Sequence, residues 1–232
     1  MANFSDFITQ RVAFEIEDGI NELINKYKMK KLLFTSLFAL LASVTFSQTL
    51  IPKAGATFSK LGGSDVEDQK FNVGFTLGLG FNLPVGAGPL SIQPELNFIQ
   101  KGSKSEFGDI TSKLKLSYIE VPVLVKATFG TATKFYFNAG PSLGIGMGGK
   151  FKQTQGSNSA EADVKFGDGD DDEVMYVEKK TDFGLQFGGG VLIADKIMID
   201  IRYGLGLSTL ESDVTIKNNS LQFTVGVPLN LK

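Results

Sequence analysis

Thr181–Leu207 reads TDFGLQFGGGVLIADKIMIDIRYGLGL. From Phe183 the odd positions are Phe183, Leu185, Phe187, Gly189, Val191 and Ile193, and after Ala194-Asp195-Lys196 they continue as Ile197, Ile199, Ile201, Tyr203, Leu205 and Leu207. The even positions are Asp182, Gly184, Gln186, Gly188, Gly190 and Leu192, then Met198, Asp200, Arg202, Gly204 and Gly206. A period of 2 held this long specifies two β-strands, because successive side chains of a strand point to opposite faces. The very short link makes them an antiparallel hairpin. One face is an unbroken apolar band, and the other mixes glycine with a few charges. A soluble barrel turns its apolar face inward and wets the other. Here the polar face is too rich in glycine to make a solvent surface, so the pattern fits an apolar exterior and a polar interior, as in a transmembrane β-barrel.

The same alternation recurs along the chain. Strands are expected at about Ile51–Ser59, Phe71–Leu83, Leu90–Lys101, Lys113–Phe129, Lys134–Gly148 and Ser220–Leu231, besides the two of the hairpin. Phe71–Leu83 is nearly ideal, with Phe71, Val73, Phe75, Leu77, Leu79 and Phe81 against Asn72, Gly74, Thr76, Gly78, Gly80 and Asn82. Eight strands, an even number, let an antiparallel up-and-down barrel close as a meander. Short links at Pro84–Pro89, Gly130–Thr133 and Ala194–Lys196 alternate with longer ones at Lys60–Lys70, Gly102–Ser112, Lys150–Lys180 and Ser208–Asn219. Short turns mark the periplasmic end of an outer-membrane barrel and long loops the extracellular end. Aromatics near the strand ends (Phe71, Phe81, Phe98, Phe129, Phe135, Tyr203) read as interfacial girdles.

Three domain segments are expected. Met29-Lys30-Lys31 followed by the apolar run Leu32–Phe46 has the form of a signal peptide, residues 29–47, with cleavage before Gln48. Residues 1–28 carry Phe4, Phe7, Ile8, Val12, Phe14, Ile16, Ile20, Leu23 and Ile24 at helical spacing, an amphipathic extension ahead of a start at Met29. Residues 48–232 form the outer-membrane barrel.

Composition removes several function classes. The 232 residues contain no cysteine and no histidine. There is therefore no disulfide, thiolate, Ser-His pair or imidazole metal ligand. The net charge of −2 gives no reason to expect a nucleic-acid partner. No cofactor is implied.

On the inward face of the expected strands lie Lys53, Lys101, Lys126 and Arg202 against Glu95, Glu120, Asp182 and Asp200. Balanced signs in a narrow lumen predict mutual ion pairs, because an unpaired buried charge is costly. These residues read as a structural plug, with a gated path for ions or small solutes as the alternative. The acidic tract Asp168, Asp170, Asp171, Asp172 and Glu173 falls in the longest loop. Its spacing does not match an EF-hand, and it reads as a solvated loop ahead of a divalent-cation site bridging lipopolysaccharide phosphates. The glycines of Gly184–Gly190 lie within a strand with no helix following, so they are no phosphate loop.

The segments IPKAGATFS (from Ile51), SYIEVPVLVKATFG (Ser117–Gly130), FNAGPSLGIG (Phe137–Gly146) and FGLQFGGGV (from Phe183) resemble the porin family of outer-membrane β-barrel proteins of Bacteroidetes, small OmpA/OmpX-like barrels. The resemblance spans about Thr49 to Lys232 and implies an integral outer-membrane protein. Such barrels commonly end in an aromatic residue, whereas this sequence ends Leu229-Asn230-Leu231-Lys232. The expected partners are outer-membrane lipid, lipopolysaccharide and an extracellular ligand met through the loops, with the protein itself a monomer. Barrel lipases, deacylases and proteases share the architecture but rely on histidine, so the expectation is a non-enzymatic structural or surface-interaction barrel, with a narrow channel as the alternative.

Overall fold

The computed structural model describes residues 48–64, 69–169, 171, 173–212 and 214–231. The extension and signal peptide expected before Gln48 lie outside these residues. Eleven strands follow in order: β1 (Thr49–Gly62), β2 (Asn72–Pro84), β3 (Leu90–Phe107), β4 (Ile110–Gly130), β5 (Thr133–Gln155), β6 (Asn158–Phe166), β7 (Val174–Val177), β8 (Thr181–Ile193), β9 (Ile197–Gly206), β10 (Lys217–Gly226) and β11 (Leu229–Asn230). Eight of them, β1-β2-β3-β4-β5-β8-β9-β10, make a ring of antiparallel neighbours, closed by β10 on β1 from Lys53↔Gly226 to Gly62↔Lys217. The two-residue β11 extends that seam onto Thr49 and Leu50. The protein is an eight-stranded up-and-down barrel.

Its faces are inverted relative to a water-soluble protein. Lys53, Glu95, Lys101, Glu120, Lys126, Asp182, Asp200 and Arg202 are buried, along with Gln93, Asn97, Asn138, Gln186 and Gln222. Valines, leucines, isoleucines and phenylalanines from seven of the ring strands are exposed on the outside, from Phe75 and Leu77 round to Phe223 and Val225, and β1 adds Ala54. An apolar surface that encircles the molecule is far larger than soluble monomers carry. In hydrocarbon it is the favourable face, and ring closure leaves no backbone edge unbonded there. On β4 the band runs from Ile119 to Phe129, which at about 3.4 Å per residue and a tilt of about 40° is roughly 26 Å tall. Phe71, Phe81, Phe129 and Phe135 are exposed at the ends of the band. Phe98 and Tyr203 sit within the wall, their rings 5.5 Å from those of Phe75 and Phe187.

Two of the expected long loops are corrected. Gly102–Ser112 is no loop: the β3–β4 ladder continues to Phe107↔Ile110 and leaves only Gly108-Asp109 to turn. Lys150–Lys180 is largely sheet. Strand β5 stays paired with β4 out to Gln155↔Ile110, and its other edge, free of β8 beyond Ile145, takes β6. Strand β7 then lies parallel to β6. β4 and β5 are 21 and 23 residues long, about twice the 9–11 residues that cross a bilayer. Above the membrane the outward residues change from Val and Ile to Lys and Thr, and a bulge between Gly146 and Gly148 shifts the alternation of β5 by one residue, which disguised these stretches as loop.

At the short-turn end Ala194 and Asp195 both have positive φ, 50° and 56°, and Lys196 N–H donates to the Ile193 carbonyl at 2.9 Å. This left-handed turn suits the twist of the β8–β9 hairpin, but alanine carries a steric cost of about 1–2 kcal/mol there. Ala194→Gly is expected to stabilise the barrel by about 0.5–1 kcal/mol after the added freedom of the unfolded chain is subtracted. The urea midpoint of protein refolded into vesicles reads this directly; a lower midpoint contradicts it.

Candidate functional site

The lumen is organised in layers, read from the short-turn end upward. The lower layer centres on Glu95 of β3. Its carboxylate accepts both Arg202 Nη1 at 2.9 Å and Nη2 at 3.2 Å, a two-pronged contact from β9, and Lys53 Nζ of β1 at 2.5 Å. Gln93 Nε2 and Asn97 Nδ2, two residues either side on the same face, add bonds at 2.7 and 3.1 Å. Asp200 takes Arg202 Nη2 at 3.1 Å, and both Tyr136 Oη and Asn138 Nδ2 at 3.0 Å. Three strands far apart in sequence thus meet on one carboxylate because all three present that face to the lumen. The tyrosine fits because Gly190 has no side chain: a Cβ there would lie 2.4 Å from the Tyr136 hydroxyl.

Lys126 of β4 is bonded differently. Its ammonium reaches Gln93 Oε1 at 3.1 Å, Met198 Sδ at 3.7 Å and the face of the Tyr136 ring at 4.0 Å.

The upper layer centres on Lys101, which bonds Glu120 and, at 3.0 Å, Asp182. Asn218 Nδ2 reaches both Asp182 Oδ2 and the Tyr118 hydroxyl at 3.2 Å. Gln186 joins the layers: its Nε2 donates to Glu120 at 2.5 Å, and its Oε1 accepts from Arg202 at 3.3 Å. The eight charges expected on the lumen face therefore form two clusters linked through a neutral amide.

Above them an apolar cap closes the extracellular end. Ile99, Leu116 and Tyr118 of the wall pack with Val164, Val177 and Leu210, supported by Leu114, Phe151 and Phe166. Phe166 lies against Tyr118, ring centres 5.5 Å apart, in space that a Cβ at Gly146 would take. The cap is tied down where Lys179 N–H donates to the Leu210 carbonyl at 3.0 Å and Glu178 accepts Ser212 N–H at 2.7 Å. The composition gives no hint of this cap. Leu210 stands alone in a polar loop, and Val164 and Val177 belong to strands hidden in the expected long loop.

Of the acidic tract, Asp170 and Asp172 lie outside the described residues. Asp171 shapes a turn, its Oδ1 accepting Glu173 N–H at 3.1 Å. Among the described residues no three acidic side chains gather as a metal site would require. The chemistry on offer in the lumen is electrostatic cross-linking of strands. The crevice beside Lys101, Asp182 and Asn218 holds about 10 Å³, space for a single water.

Glu95→Gln strands Arg202 and Lys53 as buried cations without their shared carboxylate. It is expected to cost about 3–5 kcal/mol, the range for breaking one side of a buried pair. Guanidinium unfolding of the vesicle-bound barrel reports this; a change below about 1 kcal/mol means that the layer does not hold the wall.

The sequence matches the family model for the outer membrane protein beta-barrel domain over residues 42–212. No curated protein matches it. Similar solved structures include Ail, the attachment invasion locus protein of Yersinia pestis, in complex with the heparin analogue sucrose octasulfate, at 14% identity and TM-score 0.43 over 79% of this chain and 99% of that one. The outer membrane enzyme PagL is similar at 14% identity and TM-score 0.42, covering 78% of this chain and 99% of PagL. The outer membrane protein OprG from Pseudomonas aeruginosa is similar at 8% identity and TM-score 0.34, covering 80% and 97%. With an eight-stranded ring, an apolar exterior and a family match over most of its length, the chain belongs to the outer membrane protein beta-barrel domain family and resides in the bacterial outer membrane.

Proposed function

We propose that this is a non-enzymatic, monomeric barrel whose working surface is the sheet raised above the membrane by β3–β7, and that it is of the Bacteroidetes porin-family type suggested by Ser117–Gly130 and Phe137–Gly146. The observation that carries this reading is the contrast between the lumen and the exterior. The lumen is filled by two bonded charge clusters and an apolar cap, while three strands continue well past the apolar band as an ordered sheet.

The outer face of that sheet favours anionic lipid. Lys104↔Lys113↔Lys152 and Lys115↔Lys150 are direct cross-strand neighbours, and like charges so placed destabilise a sheet. Part of the excess is neutralised within the protein. Glu161 meets Lys152 at 2.8 Å and Asp163 meets Lys150 at 3.8 Å. Glu106 bonds Lys104 and Lys70, and these contacts hold its carboxyl down at about 2. Among the described residues, Lys113 and Lys115 have no acidic partner. Lys115 and Lys150 also line a concavity of about 350 Å³ with Gln100, Ser117 and Met147, just above the apolar band. Ammonium groups at that height face the phosphates of lipopolysaccharide, while Ile145 and Met147 meet its acyl chains.

Two measurements test the reading. Refolded protein in a planar bilayer, with insertion verified separately, is expected to show no conductance steps; reproducible steps overturn the filled lumen and support a narrow channel. K113E/K115E is expected to reduce lipopolysaccharide co-purified per barrel by at least about twofold, from loss of charge-assisted contacts. An unchanged amount removes the lysine face from the proposal.

A further inference from the structure

The short-turn end of the barrel is built differently from the capped extracellular end. It opens into a cavity of about 430 Å³, within the size range of small-molecule sites. One wall is apolar, from Ile51, Leu192 and Met198, and another polar, from Ser91 and Thr128, with Lys126 set at the inner end. By the rule that short turns face the periplasm, its mouth is periplasmic.

The charge inventory shows what this cavity lacks. The lower layer holds three cations, Lys53, Lys126 and Arg202, and two anions, Glu95 and Asp200. Lys53 and Arg202 share Glu95, and Arg202 also takes Asp200. Lys126 is left over, with only 4% of its surface exposed. Its contacts are an amide oxygen, a thioether and a ring face, all of them neutral. Among the described residues no carboxylate comes within ion-pair distance of it. The upper layer has the opposite imbalance, with Lys101 between Glu120 and Asp182, but those groups lie beyond Gln186 and cannot reach Lys126. A buried ammonium with no carboxylate in direct contact is costly, and within a membrane-spanning wall such a group marks a site.

We propose that this cavity binds a phosphate-bearing small molecule, with Lys126 as its charge partner and the Thr128 hydroxyl as a further hydrogen-bond donor. Phosphate suits the donors better than carboxylate does. A flat two-oxygen anion calls for the planar fork of an arginine, whereas a compact ammonium at the end of a cavity that also carries the Thr128 hydroxyl matches a tetrahedral anion. The apolar wall of Ile51, Leu192 and Met198 accommodates a short carbon skeleton. Lys134, at the rim, does not compete, because it is engaged by Asp195 at 2.7 Å. The phosphate comes either from a free periplasmic solute or from a phospholipid headgroup of the inner leaflet.

The test uses the full chain extracted from outer membranes into a non-ionic detergent and a phosphate-free buffer. Calorimetric titration with glycerol 1-phosphate and with inorganic phosphate is expected to give saturable binding in the wild type. K126Q is expected to weaken it at least about tenfold, K126R to retain it, and K134Q to leave it unchanged. Should K126Q fail the heat-modifiability test of folding, T128V replaces it, with weaker binding expected. In nanodiscs containing phosphatidylglycerol, a ³¹P headgroup signal immobilised by wild type and released by K126Q identifies the lipid as source. Saturable binding of glycerol phosphate without such a signal identifies a free solute. No saturable binding of either phosphate and no immobilised headgroup, or equal binding by wild type and K126Q, overturns the site.

Discussion

Closure of the β1–β10 seam is the constraint on which the rest of the structure depends. Hydrocarbon offers the backbone no partner, so each amide in the membrane must be bonded by a neighbouring strand, and a sheet with two free edges cannot meet that demand. Ten consecutive register pairs from Lys53↔Gly226 to Gly62↔Lys217 complete the ring. Once the ring is closed at eight strands, the interior is only wide enough for side chains. A period of 2 then sends every second residue into that confined space. The polar lumen is therefore a consequence of closure, and its chemistry follows from which residues occupy the inward positions.

Those positions cannot be polar without being paired. Glu95 is used three times over, by Arg202, Lys53 and flanking amides, because a lone carboxylate at that depth would be strongly unfavourable. Such pairs are weak evidence for net stability, since apolar replacements are often as good. They do specify register: a slip of one residue in β3 would turn Glu95 outward into lipid and Leu96 into the lumen. The ion pairs and the strand register support each other across strands β1, β3 and β9. Glycine has a matching part, with Gly190 and Gly146 leaving the volume that Tyr136 and Phe166 fill.

This division explains what could be read from the sequence. Alternation in Phe71–Leu83 and Phe183–Leu207 reports directly on strand type and on which face meets lipid, so the class of fold was legible from those stretches. Periodicity also assigns Lys53, Glu95, Arg202 and the other five charges to a single face. It carries no information about partners, because pairing depends on register between strands up to 107 residues apart, as for Glu95 and Arg202. Strand limits were legible only where the outward residues are apolar. Above the membrane the outward residues of β4 and β5 are chiefly lysines and threonines, and the same backbone continues under a polar surface. Asn218 shows the same effect: its alternation with Ser220, Gln222 and Thr224 is present in the sequence, but no apolar outward neighbour announces that the strand has begun. The cap was illegible for a further reason, since Leu210 is held by contacts with β6 and β7 that no local pattern encodes.

The two ends of the barrel solve the problem of termination in opposite ways. At the extracellular end, β4 and β5 overshoot the bilayer, and the extra sheet folds β6, β7 and the loop around Leu210 back over the opening. Water is excluded there by hydrophobic packing, and the exposed outer face becomes basic. At the short-turn end the strands stop almost at the edge of the apolar band, and the links Pro84–Pro89 and Gly130–Thr133 are too short to fold across the mouth. The lumen is consequently wet from one side only. The lower charge cluster lies next to that water and the upper one is sealed from it. The surplus cation of the lower cluster, Lys126, lies where the mouth admits a counter-ion. The asymmetry in strand length thus determines which of the two clusters can be reached, and from which side of the membrane.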